Sequence, residues 1–246
     1  MSSGARMPKL SKTKQRVTSD ARRQMILDAA IPLFVEQGFK GVTTRLLAQK
    51  VGVSEALLYQ HFPSKEALYS EVQDVLCASS PHLSTHLASL PPSTETLVWV
   101  LYVAARFMID PPRDIDTSPL FPRLMLQSLM EDGEFARLHT ELRLGDISGV
   151  VNRSMEAARE DGSLVSAGSD GIPDELLFWF AHHVMAMVHL MQLPDKPIID
   201  YPNNKSQLID FVMCFVLRGM GMTDPALKKY YQPSALGQKF LEIFCI

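Results

Sequence analysis

Cysteine is scarce in this chain of 246 residues: Cys77, Cys214 and Cys245 lie far apart, and no two have metal-ligand spacing. An odd, sparse set of thiols argues against a disulfide framework or a zinc finger and fits a reducing, cytoplasmic compartment. Apolar runs such as Phe211–Leu217 fall far short of the roughly 18 residues that cross a bilayer. The start, Met1 to Asp20, is polar and basic and has no apolar signal core, so neither secretion nor a membrane partner is expected. Alternation of the β type is missing at any useful length, and so is an internal repeat. An overall excess of positive charge is missing too: the net charge is −3, which taken alone argues against a nucleic-acid binder.

The distribution of charge reverses that last inference. Residues 1–78 carry 11 Lys/Arg against 7 Asp/Glu, and the remainder 13 against 20. Met1 to Arg23 holds seven of those basic residues and Asp20 alone of the acidic ones. A basic arm on an otherwise acidic chain points to local contact with a polyanion; the plainer alternative is a solvated tail. With 46% apolar and 21% charged residues, the chain can build a core.

The periodicity is helical nearly throughout. Thr18, Ser19 and Asp20 are competent N-caps for a first helix whose Ile26, Ala29, Ala30, Leu33 and Phe34 share one face, and Gly38 suits its end. Pro32 inside it removes a bond to Asp28 and is expected to bend it. Thr43 or Thr44 caps a short helix to about Lys50, Gly52-Val53 turns, and Ser54 caps a second to about His61. A longer helix runs from Lys65 to about Ala78. Residues 79–92 read as a connector with a turn or two of helix. Helices follow at 94–109, 118–130 (opened by Ser118-Pro119), 134–160 (weakened by Gly145 and Gly149), 173–192 and 206–219, with a possible further helix in 223–246. The fold class is all-α.

No nucleophile elbow, metalloprotease helix or phosphate loop is present, so no enzyme, cofactor or metal site is expected. His182, His183 and His189 share one helix without acidic or thiol partners at ligand spacing, and read as packed or rim histidines. Residues 43–61 differ. Two short helices around Val51-Gly52-Val53-Ser54 form a helix-turn-helix arrangement: glycine for the bend, valine for the shared core, serine for the cap. The second helix turns Leu58 inward and keeps polar groups outward, and a helix fits the B-DNA major groove, which is about 12 Å wide.

Residues 22–69 resemble the DNA-binding region of TetR/AcrR-type transcriptional regulators. The matching stretches are Ile26-Leu27-Asp28-Ala29-Ala30, Leu33-Phe34, Gly38-Phe39, Thr43-Thr44, Leu47-Ala48, Val51-Gly52-Val53-Ser54, Leu57-Leu58-Tyr59, His61-Phe62 and Ser64-Lys65-Glu66-Ala67-Leu68. Pro32, Leu47 and Val51 are small departures. The resemblance implies three regions: a flexible basic arm at 1–19, a DNA-binding domain at 20–69, and a helical effector-binding and dimerisation domain at 70–246. It implies phosphate contacts from Thr43, Thr44, Arg45, Tyr59, His61 and Lys65. Ser54, Glu55 and Ala56 open the recognition helix, where Glu55 would accept from a cytosine amino group and Ala56 would touch a thymine methyl; Gln60 would reach a base edge or a phosphate. The arm would add phosphate or minor-groove contacts.

The resemblance also implies a homodimer on double-stranded operator DNA. Leu177, Phe180, Ala181, Val184, Met187, Val188 and Met191 form one apolar stripe, and Leu208, Phe211, Val212, Phe215 and Val216 another, suited to packing both inward and onto a partner. A small apolar or amphipathic effector is expected among Trp99, Tyr102, Phe107, Met108, Phe121, Met125, Met130 and Trp179, with Arg106, His139 and His183 as polar anchors. The expected function is a repressor that such an effector releases from a palindromic operator, with the helix from Lys65 as lever. A regulator without a ligand, and an enzyme on a helical bundle, are the alternatives.

Overall fold

A computed structural model describes residues 18–77, 81–111, 120–165 and 172–244; the basic arm up to residue 17 and the Ser118-Pro119 start lie outside the described residues. The described residues are helical, and two compact units divide at Val72 and Gln73.

The first unit contains α1 (Ser19–Gly41), α2 (Thr44–Val51), α3 (Glu55–His61) and the start of α4 (Lys65–Cys77). Thr18 caps α1, its hydroxyl accepting from the Ala21 amide at 3.3 Å. The helical backbone continues through Pro32; its one interruption is Gly38, at φ 68° and ψ 175°. The predicted face is buried through Ile26, Ala30, Leu33 and Phe34, and Leu27 and Ile31 widen it. Phe34, Phe39 and Tyr69 close the core as an aromatic trio, with Tyr69 centred 4.8 Å from each phenylalanine.

The second unit is organised around α6 (Thr94–Ile109), which packs against α9 (Gly145–Glu160), α10 (Asp174–Leu190), α11 (Lys205–Gly219), α12 (Asp224–Tyr230) and α13 (Pro233–Phe244). A helix with neighbours on all sides must be apolar on all sides, and the run Leu97–Val103 is buried throughout. α5 (Pro81–Ala88) packs on α9, and α7 (Leu120–Met130) on α8 (Glu134–His139). Two sequence expectations change here. The helix read over 134–160 contains a π turn at Thr140–Leu144, just before the weak Gly145, and the tail folds into two helices rather than one.

Asp161 ties three chain segments together. One carboxylate oxygen accepts from the buried Thr94 hydroxyl at 2.8 Å and the other from the Ser163 amide at 2.8 Å. The Ser163 carbonyl in turn accepts from the Thr223 amide at 2.9 Å, at the N-cap of α12. Bonds from Ser163 and Thr94 hold the Asp161 carboxyl below its ordinary range. A depressed carboxyl stabilises the fold above its unfolded value of 3.8 and loses that contribution as pH falls through its folded value. Asp161→Ala is therefore expected to cost about 1–2 kcal/mol in urea unfolding at pH 7. The gap to the wild type should narrow below pH 3.8.

Candidate nucleic-acid interface

A helix of seven residues is too short to hold itself, so the shape of residues 43–62 is set by its ends. Thr43 caps α2 by accepting from the Leu46 amide at 3.1 Å, and Ser54 caps α3 by accepting from the Leu57 amide at 3.2 Å. Between them Gly52 adopts φ 76° and ψ 36°, a left-handed conformation that favours glycine. The Gly52 and Val53 amides both donate to the Ala48 carbonyl at 2.9 Å, ending α2 and reversing the chain. Leu47, Ala48, Leu58 and Phe62 are buried beneath the pair, and Val53 is half-buried.

This frame leaves Ser54, Glu55, Ala56, Tyr59 and Gln60 exposed on α3, with His61 half-buried at its end. Thr43 and Arg45 are exposed at the start of α2. The Thr44 hydroxyl lies 3.1 Å from Glu55 Oε2 and accepts from the Tyr59 hydroxyl at 3.5 Å. Three expected contact residues from two helices thus form one surface chain of hydrogen bonds. The Glu55 carboxylate is an acceptor only, so next to DNA it needs a donor such as a base amino group and would repel a phosphate.

Lys65 departs from the expectation. Its ammonium donates to the Phe39 carbonyl at 2.8 Å and the Val42 carbonyl at 3.1 Å, and sits 3.9 Å from the centre of the Phe39 ring. Two of its three protons are engaged inside the domain, where they satisfy carbonyls at the end of α1. It is primarily a clamp between α4 and α1, and one proton remains for a phosphate. Arg23, read from sequence only as part of a basic run, pairs with Glu71 and stacks 4.6 Å from the Phe62 ring centre. Neither role had a signal in the sequence, because each partner lies far along the chain.

The expected effector residues gather in three places. Trp99, Tyr102 and Phe107 belong to α6; Trp99 and Tyr102 are 4% exposed, and Tyr102 and Phe107 lie against Phe240 of α13. Phe121, on α7, meets Phe135 and His139, with half-buried Met125 on the same helix. Trp179 packs with Phe178, His182 and His183 on α10. Met130 is 82% exposed at the end of α7, and His183 is exposed on α10. Its neighbour His182 is half-buried, and desolvation lowers its imidazole to about 4. An opening of about 510 Å³ lies elsewhere, lined by Asp210, Cys214, Arg218, Leu227, Lys228 and Tyr231 among others.

Residues 26–72 match the family model for bacterial regulatory proteins of the TetR family. The match is confined to this N-terminal region, which is what the chain shares with the TetR family. It is 40% identical over 96 residues to the nucleoid occlusion factor SlmA of Haemophilus influenzae (strain PittGG), covering 37% of this chain and 41% of that protein. It is 38% identical over 74 residues to the class D tetracycline repressor of Escherichia coli, covering 30% and 32% respectively. The chain therefore spans well under half the length of these curated relatives. In fold, it resembles the TetR-family transcriptional regulator PfmR from Thermus thermophilus, with a TM-score of 0.52 at 20% identity over 79% of this chain and 98% of that one.

The clamp makes a prediction that a surface phosphate contact would not. Lys65→Met is expected to destabilise the N-terminal domain by about 1.5–3 kcal/mol, the range for hydrogen bonds to a charged group. Differential scanning calorimetry checks this; an unchanged melting curve would return Lys65 to the surface.

Proposed function

We propose that this chain is a sequence-specific, DNA-binding transcription regulator that acts as a dimer and is released from its operator by a small molecule. The observation that carries the reading is the exposed polar face of α3, held by caps, turn and core and joined to α2 through Thr44, Glu55 and Tyr59. Such a face suits contact with base edges, and Thr43, Thr44 and Arg45 at the start of α2 offer the hydroxyls, amides and guanidinium that suit backbone phosphates. Ser54, Ala56, Gln60 and His61 complete the contact set, and Lys65 contributes mainly by holding the frame.

One seven-residue helix reads too few base pairs for a unique site, so a second copy is required. The second unit supports this. On α10, Phe180 is 54% and Met187 50% exposed; on α11, Phe211 is 56% and Phe215 66% exposed. The same helices bury Ala181, Met185, Val188, Leu208, Val212 and Val216 inward. Two helices with an apolar inner face and an apolar outer face suit a four-helix seam with a second copy. Such a patch left in water would be an aggregation liability.

Two measurements test this reading. Phe215→Lys is expected to leave the thermal melt within a few degrees of wild type and to turn a dimer into a monomer by sedimentation velocity; a monomeric wild type would refute the dimer. Arg45→Ala is expected to weaken binding to every duplex sequence to a similar extent, and to lower the slope of log affinity against log salt by about 1. A slope that does not move would remove Arg45 from the phosphate contacts.

A further inference from the structure

The last helix, α13, is attached along a single stripe. Leu236, Phe240 and Phe244, with Gly237 beside them, are its covered residues, and the remainder are exposed, including Leu241 at 52% and Ile243 at 40%. The stripe lies on α6. The Phe240 ring is fully buried, 6.5 Å from Tyr102 and 5.4 Å from Phe107, and Phe244 is 5.3 Å from Phe107.

Arg106 stands at the same place, on the α6 surface that α13 covers. Its side chain is 13% exposed, its Nη1 pairs with Asp110 at 2.9 Å, and its guanidinium lies 4.9 Å from the centre of the Phe240 ring. Its Nε is buried and has no hydrogen-bond partner. A buried guanidinium N–H without an acceptor is poorly satisfied, and a carboxylate would satisfy it. Gly237 lies close to the same surface: a Cβ there would lie 3.3 Å from the Tyr102 hydroxyl. Glycine is a poor helix former, so the residue that lets α13 lie against Tyr102 also weakens the helix.

We propose that the α6 surface formed by Tyr102, Arg106 and Phe107 is a binding site for an amphipathic monocarboxylate, and that α13 occupies it as a displaceable stand-in. The apolar body of the ligand takes the place of the Phe240 and Phe244 rings, and its carboxylate accepts from Arg106 Nε. The inference deepens the ligand-responsive reading above, and rests on it for its regulatory meaning. Because α13 must leave, the apparent affinity is the intrinsic affinity scaled by the fraction of molecules in which the site is open.

The test is calorimetric titration of the full chain with 4-biphenylacetate, whose two rings match the two phenylalanines, and with its neutral counterpart 4-biphenylacetamide. Gly237→Val, which pushes α13 off Tyr102, is expected to tighten both ligands about tenfold. Arg106→Gln is expected to weaken the acid about tenfold and to leave the amide unchanged. If Arg106→Gln does not fold, the acid-to-amide ratio in Gly237→Val serves instead, with a preference of about tenfold expected. No binding to either wild type or Gly237→Val overturns the proposal, as does an affinity indifferent to Gly237→Val or equal affinity for acid and amide. Binding with these dependences but without effect on operator DNA establishes the site and removes the ligand-released reading.

Discussion

The N-terminal unit depends on a helix that cannot stand alone. α3 has seven residues and buries one side chain, Leu58, so it is far below the length at which an isolated helix is stable. Its existence and its direction are imposed from outside, by the Ser54 cap, the left-handed turn at Gly52 and the small core under α2. That arrangement frees the outer face of α3 from any structural duty. Glu55, Tyr59 and Gln60 have no part in the core, and are available to whatever lies against them.

The same economy operates one layer down. α2 packs on α1 and α3 on α2, and Lys65 joins α4 to α1 by bonding carbonyls at the C-terminal end of α1. In the second unit the organising constraint is α6, which is enclosed by neighbours and therefore apolar around its circumference. α10 and α11 pack inward on it and still expose large apolar side chains outward, so their composition exceeds what one chain's core requires.

What could be read from sequence follows the range of the forces involved. Caps, the Gly52 turn and the α1 face depend on residues within one or two turns of each other, and Thr18, Thr43 and Ser54, each among the caps the pattern offered, cap the first three helices. The roles that escaped depend on distant partners. The clamp role of Lys65 left no local trace because its carbonyl partners lie 23 and 26 positions away. Nothing local to Tyr102 and Phe107 announces that Phe240, more than a hundred residues on, lies against them. His182 and His183 are adjacent, and only the tertiary packing of α10 decides that the first is half-buried and the second exposed. The π turn before Gly145 was visible as weakness, and its geometry was not.

The central claim is that pairs of α3 helices read DNA sequence. Selection of duplexes from a random pool by the purified full chain, with sequencing of the bound fraction, tests it most directly. The expected result is enrichment of an inverted repeat whose half-sites are centred about one helical turn apart (~34–36 Å) or somewhat more, bound with steep salt dependence. A pool that emerges without any enriched sequence would contradict it.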